Sequence, residues 1–133
     1  MLMVVALTVM MAQEDVQTAQ ARRMFSGAGL LDLCEKVDDK VYGVAAATCH
    51  GYIEGLSDTV FQYEQMLAVA AGSEARGMRT CLPEGATYDQ YTRVVVKYLR
   101  DHPEKLHEPR GGLAYDALVR AFPCERIAPP TAP

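Results

Sequence analysis

Apolar residues in the second half of the chain recur three and four positions apart, the period of one face of an α-helix. The first such segment lies between Thr87 and Pro103, and its apolar residues are Tyr91, Val94, Val95, Tyr98 and Leu99. Gln90 follows Thr87 by three positions, the spacing of a capping box that satisfies the first backbone N–H groups of a helix. A short strand over Val94–Val96 is the alternative, because valine is β-prone. The cap and the wider period favour a helix.

A second helix is predicted to begin after Pro109, a residue that suits the first helical position, and to end before Pro123. Its apolar residues are Leu113, Ala114, Ala117, Leu118, Ala121 and Phe122. A short connection usually makes two helices antiparallel neighbours, so the start of the first lies beside the end of the second. Cys81 precedes the first helix and Cys124 follows the second. The hairpin therefore predicts a disulfide between these two cysteines.

The first half of the chain is also predicted to be helical. The segment Phe25–Gly29 breaks the periodic pattern and predicts a helix start, and a short helix follows as far as Cys34. A long helix is predicted from about Lys40 to Ala71, with Ser57–Asp58 as an alternative break. Its core-facing stripe is Cys49, Tyr52, Ile53, Leu56, Val60, Tyr63 and Leu67.

Two glycines, Gly51 and Gly55, lie one turn apart inside the long helix. Each glycine weakens a helix by about 1 kcal/mol relative to alanine. A second backbone that comes close to the helix would offset this cost. The pair therefore predicts either close packing within the chain or a dimer face.

Composition and cysteine content narrow the fold class. The chain has 133 residues, half of them apolar, and a formal net charge of −4. These values fit one domain with a modest core and give no basic surface for nucleic acid.

Four cysteines predict two disulfides, and once Cys81 pairs with Cys124, Cys34 is left to pair with Cys49. A zinc site is the alternative, but the CxxC and paired Cys/His spacings of zinc sites are missing. The prediction is an all-α fold, a small helical bundle with a C-terminal helical hairpin, stapled by two disulfides.

The ends of the chain are predicted to lie outside the folded domain. Residues 1–12 contain an apolar run that is too short to span a bilayer and is typical of a secretory signal. No Lys or Arg precedes this run, which indicates a truncated signal; a buried or frayed first helix is the alternative. Residues 13–24 are polar and predict a flexible lead-in, and residues 125–133 are proline-rich and predict a disordered tail. The domain then covers residues 25–124.

Catalytic and metal-binding patterns are missing from the sequence. Cys49 and His50 are adjacent, so on a helix they point to different faces, and His102 and His107 lack the helical i, i+4 spacing of metal ligands. We predict no enzymatic activity, no metal and no cofactor.

Tyrosine is favoured at protein interfaces, and several tyrosines lie in or near the hairpin: Tyr88, Tyr91, Tyr98 and Tyr115. Core packing is the alternative for Tyr91 and Tyr98. A binding module is favoured over an enzyme.

Several sequence blocks, in this order, resemble the Rap/Tai family of immunity proteins. The blocks are Gly29-Leu30-Leu31 followed by Cys34, CHGYIEGLSD over Cys49–Asp58, CLPEGATYDQ over Cys81–Gln90, VVVKYLRDHPEKLHEP over Val94–Pro109, and ALVRAFPC over Ala117–Cys124. The resemblance covers about residues 29–124. Gly111-Gly112 departs from the more helix-favouring residues that the family pattern has at the start of the last helix.

The resemblance implies an all-helical, periplasmic protein that forms homodimers and neutralises a peptidoglycan amidase effector delivered by type VI secretion. Inhibition would follow from covering the amidase groove. Separately, no second apolar stretch of the sequence reaches membrane length, so we expect no membrane contact once the signal is removed. A small periplasmic acid-stress chaperone and an envelope adaptor protein are the alternatives.

The family pattern carries no contact residues over to this chain. The exposed hairpin turn is the first candidate for partner contact, with Glu104, Lys105, His107, Glu108 and Arg110. The loop that contains Arg76 and Arg79 is the second candidate.

Overall fold

The computed structural model describes residues 15–38, 43–70 and 80–124. Within these ranges the chain forms five α-helices: α1 (residues 15–24), α2 (Gly27–Cys34), α3 (Val44–Ala70), α4 (Tyr88–Asp101) and α5 (Arg110–Ala121). Short 3-10 turns follow α2 at Glu35–Asp38 and α4 at Pro103–Lys105. Two isolated bridges but no strand occur in these described ranges, which confirms the predicted all-α fold.

The C-terminal hairpin forms as predicted, and its caps explain its limits. The Thr87 hydroxyl accepts a hydrogen bond from the Gln90 N–H at 3.2 Å, so α4 begins at Tyr88. The strand alternative over Val94–Val96 is wrong, because these residues lie inside α4. Helix α5 begins directly after Pro109 and ends before Pro123.

Both predicted disulfides are present. Cys81 is bonded to Cys124 with a Cα–Cα distance of 4.8 Å, and Cys34 is bonded to Cys49 with a Cα–Cα distance of 5.1 Å. Beside the first bond, the Cys81 N–H donates to the Phe122 carbonyl at 2.8 Å. The Tyr91 ring in the first turn of α4 also packs against the Phe122 ring, with centroids 5.6 Å apart. The start of α4 therefore lies beside the end of α5, so the two helices run antiparallel.

Helices α2 to α5 surround one hydrophobic core. Its fully buried side chains come from all four helices and include Leu30, Ile53, Val95, Leu99, Leu113 and Leu118. Helix α3 runs without interruption through Ser57–Asp58, so the alternative break there is wrong. The Ser57 hydroxyl is buried and donates to the Ile53 carbonyl at 2.8 Å, which keeps it satisfied inside the helix.

Part of the predicted core stripe of α3 is wrong. Tyr63 is 54% exposed, whereas its neighbour Glu64 is only 2% exposed. Glu64 takes the inward position because its carboxylate accepts a hydrogen bond from the Tyr115 hydroxyl at 3.1 Å. A buried carboxylate is tolerated when it is hydrogen-bonded, and a hydrophobic period alone does not reveal such a pair.

The packing prediction for Gly51 and Gly55 is wrong within the chain. Both glycines are exposed, and a Cβ added at either one would have no described atom within 4 Å. They lie on the side of α3 opposite Ile53, which faces the core. The dimer-face interpretation of the pair stays a prediction.

The predicted chain ends lie largely outside the described residues. Residues 1–12 and the tail 125–133 are not described, and of the lead-in only residues 15–24 are, as the exposed helix α1. The flexibility of that lead-in stays a prediction. Among the described helices, none combines the length and the apolar character needed to cross a bilayer.

The backbone at the start of α2 is closely packed against its neighbours. The Ser26 hydroxyl caps the helix by accepting from the Gly29 N–H, which confirms the predicted helix start. A Cβ on Gly29 would collide with the Arg23 carbonyl oxygen and lie 3.0 Å from the Met24 Cα. A Cβ on Gly27 would collide with the Leu113 side chain. A Cβ at Gly29 would therefore require a shift of the neighbouring backbone, whereas a Cβ at Gly27 would require the Leu113 side chain to move.

We predict that Gly29→Ala lowers the free energy of unfolding by about 1–3 kcal/mol, the usual cost of overpacking. Gly112→Ala is the matched control, because Gly112 is exposed in α5 and has no described atom within 4 Å of an added Cβ. The control should gain up to about 1 kcal/mol from helix propensity. Urea denaturation of both variants measures the difference, and equal stability of Gly29→Ala and the wild type would contradict the close approach.

We also predict that replacing Cys81 and Cys124 together by serine lowers the free energy of unfolding by about 2–5 kcal/mol, the usual cost of losing a native disulfide. The bond cross-links the two ends of the hairpin, so its loss releases the unfolded chain from that constraint. Urea denaturation under oxidising conditions measures the effect. Free thiols detected by mass spectrometry in the oxidised wild type would contradict the pairing.

Candidate functional site

The connection between α4 and α5, residues 102–109, is called the tip. It contains four of the predicted contact residues, Glu104, Lys105, His107 and Glu108, and Arg110 follows it directly. The side chains of Glu104, His107 and Glu108 are exposed, and Lys105 is half-buried. The structure therefore brings these four residues together on one short, solvent-facing segment.

Backbone hydrogen bonds hold the tip against the start of α2. The first N–H groups of a helix have no partner inside the helix. Here the Gly27 N–H donates to the Glu108 carbonyl at 3.0 Å, and the Ala28 N–H donates to the Leu106 carbonyl at 2.9 Å. Inside the tip, the Glu108 N–H donates to the Lys105 carbonyl at 2.8 Å. The tip backbone is thus fixed without the use of its exposed side chains.

The two histidines of the tip have different surroundings. His102 stacks on the Tyr98 ring, with centroids 4.1 Å apart, and its Nδ1 lies 2.8 Å from the Tyr98 carbonyl oxygen. His102 therefore belongs to the base of the tip, whereas His107 is exposed at its surface. The part of the chain that the structure describes contains no group of three or more His, Cys, Asp or Glu side chains able to hold a metal ion.

Arg110 is placed differently from the other predicted contact residues. Its guanidinium carbon lies 4.4 Å from the centre of the Tyr52 ring and 5.1 Å from the centre of the Phe25 ring. Its Nη1 donates to the Met24 carbonyl at 3.0 Å, and its backbone N–H donates to the Phe25 carbonyl at 2.9 Å. The side chain is half-buried and turned toward α1 and α3. Sequence periodicity does not reveal this contact, because Phe25, Tyr52 and Arg110 are far apart along the chain.

The second predicted contact region lies outside the described residues. Arg76 and Arg79 fall in the segment 71–79, so their role stays a prediction. The tyrosines divide as the core alternative predicts: Tyr91 and Tyr98 are buried in the core cluster. Tyr88 is 40% exposed and donates to Asp58 at 3.1 Å, and Tyr115 is half-buried.

Three groups on α4 have shifted pKa values, and each shift has a local structural cause. The hydrogen bond to the Asp58 carboxylate raises the pKa of Tyr88 above its ordinary value. Burial raises the pKa of Tyr91. The hydrogen bond from Lys97 lowers the pKa of Asp101, which is its i, i+4 neighbour on α4. These shifts follow from packing and pairing on the helices.

A groove of about 210 Å³ lies beside α4 and the end of α2. Its charged lining is paired within the protein: Arg93 contacts Asp89 at 2.9 Å, and Arg100 contacts Glu35 at 3.0 Å. Exposed ion pairs of this kind contribute little to stability and are common on helix surfaces. The tip is therefore the stronger candidate for partner contact.

Comparison with known proteins identifies the family. A family model described as Rap1a immunity proteins matches residues 26–124. Comparisons with curated proteins and with solved structures found no match. The matched segment begins at Ser26, the cap of α2, and ends at Cys124, so it contains both disulfides, the α2 glycines and the tip. Because the match covers most of its length, the chain belongs to the family of Rap1a immunity proteins.

Proposed function

We propose that this protein acts in the periplasm as an immunity protein, binding a peptidoglycan amidase effector of a type VI secretion system and covering its active-site groove. The tip, with its fixed backbone and exposed side chains, carries the proposal. Membership in an immunity protein family implies a cognate effector as the partner. In this role the protein inhibits by occlusion and needs no chemistry of its own.

The tip has properties that suit a polar groove. It offers two carboxylates, Glu104 and Glu108, together with Lys105 and His107. An amidase that holds peptide substrates presents polar groups that such side chains can pair with. Because the tip backbone is already held by hydrogen bonds to Gly27 and Ala28, little loop ordering is lost on binding.

Two observations support the periplasm as the site of action. Disulfides form and persist in oxidising compartments and are rare in the cytosol, and all four cysteines of the chain are disulfide-bonded. The apolar run in residues 1–12 is typical of an export signal. An amidase that cuts peptidoglycan also acts in this compartment.

The test uses wild-type protein and the variant Glu104→Ala/His107→Ala/Glu108→Ala. The amidase is the cell-wall hydrolase that the wild type captures from envelope extract, and its activity is measured as fragment release from purified peptidoglycan. We expect inhibition to weaken at least about tenfold, equivalent to about 1.4 kcal/mol. Urea stability should stay within about 0.5 kcal/mol, because the side chains are exposed.

A matched control removes three exposed charged side chains elsewhere, in the variant Lys36→Ala/Glu84→Ala/Asp116→Ala. This control should inhibit like the wild type. If the wild type inhibits no cell-wall hydrolase, the immunity proposal is wrong, and protection of aggregating clients near pH 3 would then favour the acid-stress chaperone. If the tip variant inhibits as well as the control, the partner is bound elsewhere.

We also propose that the protein forms a homodimer through the outer face of α3. Gly51 and Gly55 leave the backbone open there, and Val44 and Met66 on the same helix are 85% and 71% exposed. A second helix can approach closely over glycines, and its apolar side chains can then cover Val44 and Met66. Sedimentation should give twice the mass of the chain for the wild type and a single chain mass for Gly55→Arg. A monomeric wild type would contradict the proposal.

A further inference from the structure

Arg110 connects three separate parts of the described fold. Its guanidinium lies between the rings of Phe25, which follows α1, and Tyr52, in the middle of α3. Its Nη1 donates to the Met24 carbonyl, and its backbone N–H donates to the Phe25 carbonyl. Arg110 is also the first residue of α5, immediately after the tip. Arg110 therefore joins the end of α1, Tyr52 of α3 and the C-terminal end of the tip.

The neighbouring backbone depends on the same junction. Pro109 forms an isolated bridge with Ser26, the cap of α2. The next N–H groups along the chain, of Gly27 and Ala28, donate to tip carbonyls. The residues that form these bonds are close in the chain to Phe25 and Arg110. Movement of Arg110 away from Phe25 would therefore weaken the hydrogen bonds that hold the tip against α2.

We propose that Arg110 is a positioning residue of the tip: it holds residues 102–109 against the start of α2 and does not itself contact the partner. This inference rests on the proposed function, in which the tip enters the amidase groove. It replaces the expectation from sequence that Arg110 is one of the contact residues. In this structure the side chain is already engaged within the protein, because its guanidinium lies over the rings of Phe25 and Tyr52 and donates to the Met24 carbonyl.

The chemistry of arginine suits this position. A guanidinium is planar, stacks on aromatic faces and donates hydrogen bonds in its own plane at the same time. Lysine retains the positive charge but is a point charge without a planar face, and methionine retains only the length and apolar stem. Substitution by lysine therefore tests whether positive charge alone is enough. Substitution by methionine removes the charge, the planar stacking and the hydrogen bond together.

The experiment measures residue-resolved amide hydrogen exchange in the full, oxidised protein. The reporters are the N–H groups of Gly27 and Ala28, which donate to the tip, and the reference is Leu99 in the core. In Arg110→Met the reporters should exchange at least about tenfold faster while Leu99 is unchanged, which marks local opening. In Arg110→Lys, the exchange rates of Gly27 and Ala28 should lie between those of Arg110→Met and the wild type.

Two further variants complete the design. Arg120→Met is the matched control. Arg120 lies on the same helix and also approaches an aromatic ring, that of Tyr98 at 5.8 Å, but it is near the end of α5 away from the tip. It should leave both reporters unchanged. Phe25→Leu removes one ring without altering Arg110, and because Phe25 is 60% exposed the core is left intact. Phe25→Leu should accelerate amide exchange at Gly27 and Ala28. This variant tests the contact between Phe25 and Arg110 even if Arg110→Met does not fold.

Inhibition of the captured hydrolase separates positioning from contact. We expect Arg110→Met to weaken inhibition several-fold together with faster exchange at Gly27 and Ala28, and Arg110→Lys to recover part of both. Weaker inhibition with unchanged exchange would mean direct contact and would overturn the inference, as would faster exchange with unchanged inhibition. If the wild type inhibits no hydrolase, the proposed function fails and this role falls with it; the exchange result then reports only on the fold.

Discussion

The fold depends on the close approach of three backbone segments at the start of α2. Gly29 lies against the Arg23 carbonyl, Gly27 lies under Leu113, and the first N–H groups of α2 donate to the tip. A Cβ on Gly29 would force α2 away from the Arg23 carbonyl, and we expect the hydrogen bonds between α2 and the tip to weaken with it. Gly29 therefore supports the candidate site from a buried position.

The two disulfides fix the rest of the bundle around this point. Cys34–Cys49 ties the end of α2 to α3, and Cys81–Cys124 ties the two ends of the hairpin. The hairpin is thus closed by a covalent bond at one end and presents the tip at the other. This arrangement suits a binding protein, because a loop that is already ordered loses less conformational freedom when it meets a partner.

Local signals in the sequence predicted most of the fold, whereas contacts between distant residues could not be predicted. The Thr87 cap, the prolines at 109 and 123 and the cysteine positions define the hairpin and its disulfides, because each acts on its immediate neighbours. The exposure of Tyr63 follows instead from the bond between Glu64 and Tyr115, and no local pattern reveals it. The same holds for the candidate site: the tip was found from its turn residues, but the inward position of Arg110 depends on Phe25 and Tyr52.

We propose that an amidase is bound through the tip. Amide hydrogen exchange of the protein, free and in complex with the captured hydrolase, tests this claim most directly, because it maps the covered surface without any substitution. We predict slower exchange at the N–H groups of residues 104–108 in the complex and little change on the outer face of α3 around Gly55. Protection confined to α3, with exchange at the tip unchanged, would contradict binding through the tip.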